Sequence, residues 1–84
     1  MKAVVYTQTA QKSLVRMPRN VALRIREKIS SFAEDPAPQA NNVKALRGLE
    51  GVVRLRVGDW RVTMRDGIVL GIFEIKARGS AYKE

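Results

Sequence analysis

The sequence predicts an α+β fold: an N-terminal strand, an antiparallel helical hairpin, then three antiparallel strands forming one sheet. Three observations carry this. Apolar residues recur at one-turn spacing in the first half of the chain, they alternate residue by residue in the second, and a Pro- and Asn-rich segment separates the two regimes. The chain has 84 residues, 45% of them hydrophobic, which is enough for one core and so for a single domain spanning 1–84.

The elements follow in order. Lys2 to Thr7 is short, apolar and β-branched, the signature of a strand. Thr7 or Thr9 can cap a helix that runs to about Arg16, with Ala10 and Leu14 on one face. Pro18 fits the first turn of a second helix and would break the interior of a continuous one. Val21, Ile25, Ile29 and Phe32 then form an apolar stripe, opposite Arg24, Arg26, Glu27 and Lys28. Asp35 to Asn42 reads as a loop. From Val52 to Val57, Val53, Leu55 and Val57 alternate with Val52, Arg54 and Arg56; after a tight turn at Gly58-Asp59, Trp60, Val62 and Met64 alternate with Arg61, Thr63 and Arg65. Asp66-Gly67 signals a hairpin of the type I′ kind, and Ile68 to Lys76 is apolar enough to be a central strand buried on both faces. The helical hairpin is expected to cover one face of the sheet and leave the other partly open.

Composition narrows the chemistry. The absence of cysteine and histidine excludes disulfides and thiolate metal sites and makes a zinc site improbable, so neither metal nor cofactor is expected. No apolar run approaches the ~20 residues that span a bilayer, and nothing at the N-terminus resembles a signal peptide, which together predict a cytoplasmic protein with no membrane partner. A net charge of +8 on 9.4 kDa attracts polyanions: RNA, DNA, ribosomal surfaces or an acidic protein. Arginine outnumbers lysine, and its planar fork suits phosphate and base stacking.

The candidate site lies in the arginines. Arg54 and Arg56 share one strand face, and Arg61 joins them if the Gly58-Asp59 turn sets the right register. Arg78 and Tyr82 follow in the tail. Cleaving RNA without a metal needs a base for the 2′-hydroxyl, cations for the charge growing on phosphorus, and an acid for the leaving 5′-oxygen. Arginine supplies the second. Tyr82 is a candidate for proton transfer, since nearby cations favour a phenolate, or it stacks on a base. Lys83, Glu84 and Glu74 are weaker alternatives, while Tyr6 and Trp60 read as packing residues.

With the opening VVY, the AQKSLVRMP helix, KALRG, RLRVGDWRV and RGSAY, the chain resembles the RelE/ParE superfamily of toxins from bacterial type II toxin–antitoxin systems over nearly its whole length. The resemblance implies the same α+β fold, a cognate antitoxin with an acidic neutralising segment, and one of two activities. RelE-like members are ribosome-dependent endoribonucleases that cut mRNA and leave 2′,3′-cyclic phosphate ends; ParE-like members inhibit DNA gyrase and generally lack the arginine–tyrosine set. Carried over by position, Arg61, Arg78 and Tyr82 are the catalytic residues, and Arg54 and Arg56 bind RNA phosphates. The RVGDWR block occurs in both branches. Arg78 and Tyr82 therefore favour the RelE-like one, with gyrase as the alternative target.

Overall fold

The computed structural model describes residues 2–77. Chain order is β1 (Val4–Tyr6), α1 (Gln8–Arg16), α2 (Arg19–Glu34), a 3-10 helix (Ala37–Asn42), β2 (Val43–Ala45), β3 (Val52–Val57), β4 (Trp60–Asp66) and β5 (Leu70–Ala77). The α+β class and the helical hairpin are as the sequence predicts.

Local chemistry explains the helix boundaries. The Thr7 hydroxyl accepts a hydrogen bond from the Ala10 amide at 3.2 Å, satisfying a donor that the first turn leaves orphaned. Met17 precedes Pro18 and Asp35 precedes Pro36, and both adopt extended backbone, because the proline ring crowds a preceding residue in the helical region. One proline thus ends α1 and the other ends α2. The segment after Asp35 is a 3-10 helix rather than the expected loop; the Asp35 carboxylate accepts the Ala37 amide at 3.2 Å and starts it.

Among the described residues the sheet has five strands, in the order β1-β5-β4-β3-β2. Three differences from the expected sheet each have a physical cause. First, β2 pairs antiparallel with β3, and β1 pairs parallel with β5, so the central position belongs to β4. Second, β5 is interior but buried on one face only. Its register jumps from Thr63↔Glu74 to Met64↔Ile72, which leaves Phe73 as an extra residue. This bulge shifts the alternation so that Ile72 and Ile75 both reach the core, and a one-sided strand reads as continuously apolar. Third, the β4–β5 connection is a three-residue loop of Gly67, Ile68 and Val69, closed by the Gly67 amide on the Val69 carbonyl at 3.1 Å. Gly67 lacks the positive φ that a type I′ turn requires.

The hairpin of α1 and α2 covers one face of this sheet. Ala10 and Leu14 from α1 and Ile25, Ile29 and Phe32 from α2 pack on Leu55, Val57, Val62, Met64, Leu70, Ile72 and Ile75. Burying a side chain of this kind is worth about 1.5–3 kcal/mol. Among the described residues no helix is long and apolar enough to cross a membrane.

Candidate nucleic-acid interface

The uncovered face of the sheet is where the arginines meet. Direct partners in an antiparallel pair point to the same side, so the register decides which residues share it. Gly58 has φ +59 and no non-glycine residue among the described ones has positive φ, so Gly58-Asp59 forms the type II′ pattern between the paired Val57 and Trp60. That two-residue turn makes Arg56 the direct partner of Arg61 and Arg54 the partner of Thr63. Arg54, Arg56 and Arg61 therefore lie on one face. The turn register that the sequence left open is the one that brings them together.

Neighbouring strands complete the surface. Lys44 on β2 is paired with Arg54, and Lys76 on β5 with Arg61. Asn41, Asn42, Val43, Lys44, Arg54, Arg56 and Arg61 line a depression of about 260 Å³ on it. Glu74 is the one carboxylate that the described strands place on this face. It accepts a hydrogen bond from the Thr63 hydroxyl at 3.4 Å and lies 3.5 Å from the Lys76 ammonium. Thr63 is 4% exposed, a buried polar group, and Glu74 gives its hydroxyl an acceptor.

Cross-strand like charges are destabilising. A face that sets Arg56 opposite Arg61, with Arg54 and Lys44 beside them, is one that an anion would relieve. Guanidiniums on adjacent strands can grip phosphate oxygens bidentately. They offer positive charge and hydrogen-bond donors at pH 7 but no base, since arginine stays protonated. Glu74 is the carboxylate that the described strands place on the same face.

Of the other residues singled out in the sequence, Arg78 and Tyr82 lie outside the described residues, as do Lys83 and Glu84. Trp60 and Tyr6 pack against the core. The Arg26 guanidinium carbon lies 5.1 Å from the centre of the Tyr6 ring. Burial raises the Tyr6 pKa, and the nearby Arg26 charge acts in the opposite direction. Sequence reasoning missed Lys44 and Asn42. Their signal was the short Val-Lys-Ala alternation after the Asn pair, too brief to stand as a strand alone.

The family profile described as ParE toxin of type II toxin–antitoxin system, parDE, matches residues 4–82. No curated protein matches the chain by sequence. Solved structures do match in fold. The RelB–RelE antitoxin–toxin complex of Methanococcus jannaschii contains a chain with TM-score 0.76 and 20% identity, over 94% of this chain and 95% of that one. The archaeal RelE–RelB complex of Pyrococcus horikoshii OT3 gives TM-score 0.75 and 27% identity over 93% and 96%. The intact E. coli RelBE complex gives TM-score 0.75 and 16% identity over 92% and 96%.

Proposed function

The chain belongs to the ParE toxin family of type II toxin–antitoxin systems, and from that premise we propose that this toxin is a ribosome-dependent mRNA endoribonuclease, held inactive by a cognate antitoxin. The observation that carries the reading is the pairing of Arg56 with Arg61, beside Arg54, on the uncovered sheet face. RNA is the polyanion whose cleavage uses such a cluster, because charge accumulates on the phosphate during the reaction. The antitoxin is supported by the complexes in which toxins of this fold are found, an archaeal one sharing 27% identity among them. Its neutralising segment is acidic, matching a toxin of net charge +8.

In the proposed reaction the 2′-hydroxyl gives up its proton as its oxygen attacks phosphorus, the bond to the 5′-oxygen breaks and that oxygen takes up a proton, and the products are a 2′,3′-cyclic phosphate and a free 5′-hydroxyl. Arg61 stabilises the charge that develops on the non-bridging oxygens, and Arg54 and Arg56 hold phosphate. Arg78 is a further phosphate-binding arginine of the reaction, and Tyr82 acts as base or as a stacking platform. The ribosome holds the mRNA in the reactive geometry, contributing orientation that a site without histidine must obtain from outside. Free RNA is then a poor substrate. The cytoplasm is where such a protein meets translating ribosomes.

The matching family profile is one of ParE toxins, and the resemblance to the ParE-like branch supports a second reading, inhibition of DNA gyrase by binding. One experiment separates the two: induction of the toxin alone, with mapping of mRNA 5′ ends and a DNA-damage reporter. The nuclease yields cuts within translated codons that disappear when translation is blocked, with a silent reporter. Intact messages with an induced reporter assign the protein to gyrase. Within the nuclease reading, Arg61→Ala lowers cleavage on the order of 10²–10³-fold, the usual effect of removing one transition-state donor, and relieves growth arrest in a protein that still folds. Unchanged cleavage by that variant removes Arg61 from the mechanism.

A further inference from the structure

A second depression adjoins the arginine face. It measures about 280 Å³ and is lined by Arg24, Lys28, Gln39, Asn42 and Arg56, with Val57 and Gly58 at its floor. Arg56 and Asn42 also line the first depression. The two therefore adjoin at Arg56 and Asn42, where the end of β3 meets the 3-10 helix and α2. The far wall of the second is built from sequence. Arg24 and Lys28 sit one turn apart on the exposed side of α2, whose opposite side carries the buried Ile25 and Ile29. The near wall is the 3-10 helix. Gln39, 5% exposed, donates its side-chain amide to the Lys28 carbonyl at 3.4 Å. That bond ties the 3-10 helix to α2 and sets Asn42 between the two depressions.

Among the described residues no carboxylate lines either depression, whereas Arg24, Lys28, Lys44, Arg54, Arg56 and Arg61 all do. A row of cations is matched by a ligand with regularly repeated negative charge. An acidic protein segment would also need an apolar anchor, since the centres of protein interfaces are apolar and aromatic. The two depressions have little to offer one: Val43 and Val57 are their apolar lining, and the exposed apolar side chains Val15, Leu23, Ile68 and Phe73 lie outside them. Planar guanidiniums and side-chain amides suit phosphate oxygens and sugar hydroxyls instead.

We propose that the two depressions form one track for a single RNA strand, with Arg24 and Lys28 holding a backbone phosphate that neighbours the one on the arginine face, and Arg56 lying between them. This rests on the reading of RNA as the substrate and adds to it a second, non-catalytic phosphate site. The site positions the strand without touching the reacting atoms. It also predicts that affinity grows with strand length until both depressions are filled.

The test is fluorescence anisotropy with the full chain and two labelled, 2′-O-methylated single strands, a dinucleotide and an octanucleotide, titrated across salt. Arg24→Ala/Lys28→Ala is expected to weaken the octanucleotide roughly tenfold, the loss of one charge-assisted contact. It should also flatten the slope of log affinity on log salt by about 0.7, the value for one phosphate on a single strand. The dinucleotide, held by the arginine face, should bind as it does to the parent protein. Arg24→Lys/Lys28→Arg should restore both quantities, which separates lost charge from a damaged helix. An unchanged octanucleotide slope in the alanine variant overturns the track. So does a glutamate-rich peptide that binds in an Arg24-dependent way while the octanucleotide does not; the two depressions are then the seat of an acidic protein segment. Absence of mRNA cleavage on translating ribosomes, with the octanucleotide slope altered as expected, overturns the nuclease reading and supports the track.

Discussion

Tyr6 shows how a single side chain records its surroundings. It sits on β1 under α2, half removed from water, with Arg26 over its ring. Burial disfavours the phenolate and raises the pKa; Arg26 opposes this without cancelling it. The sign for stability follows. In the unfolded chain the phenol titrates at its ordinary 10.0, and in the folded protein it keeps its proton to higher pH. Its contribution is therefore complete below about pH 10 and is lost as pH rises through the folded value. Stability measured by urea unfolding should fall on the alkaline side of pH 10, and Tyr6→Phe should flatten that fall while leaving the neutral range nearly unchanged. An equally steep alkaline decline in the phenylalanine variant would move the effect to other groups. The sequence assigned Tyr6 to packing against the first strand's neighbours, and its place against the core agrees.

Among the elements, the β3–β4 turn has the largest effect on the site for its size. A Cβ built on Gly58 meets nothing within 4 Å, so substitution there costs conformational strain alone. Gly58→Ala should lose about 1–2 kcal/mol, the penalty of a left-handed residue, and Gly58→Asn should lose less, because asparagine tolerates that region. Urea midpoints of the two variants check the order. If alanine and asparagine lose equally, the turn does not hold the conformation described. The helices were legible because their signals are local: Thr7 as cap, Pro18 as boundary, and a stripe from Val21 to Phe32. The rest was not, because its cause is distant in sequence. Val43–Ala45 is a strand only by pairing with Val53–Leu55, and the Phe73 bulge exists only against β4. The site divides in the same way. That Arg54 and Arg56 share a face follows from strand periodicity, but adding Arg61 required the turn register and adding Lys44 required β2.

For the whole molecule, charge and size act together. The chain is 28 × 27 × 24 Å and carries +8. At about 0.01 M salt the Debye length of roughly 30 Å spans the protein, so every charge steers an approaching anion; at about 0.1 M it shrinks to roughly 10 Å and only the nearest charges act. Stopped-flow association with the proposed acidic antitoxin segment should therefore slow steeply over that range, while dissociation changes less. An on-rate indifferent to salt would mean that contact shape, rather than the field, governs capture. The sheet order carries a further consequence, for synthesis. The first strand pairs in parallel with the last, the Leu70 amide donates to the Ala3 carbonyl at 2.8 Å, and Lys2 forms an ion pair with Asp66. Residues at opposite ends of the chain must meet before the sheet is complete. Translation delivers β1 well before its partner β5, so a nascent chain cannot complete the sheet until β5 has left the exit tunnel. Under the proposed ribosome-dependent activity, the ribosome that makes this toxin is spared by topology until β5 has emerged.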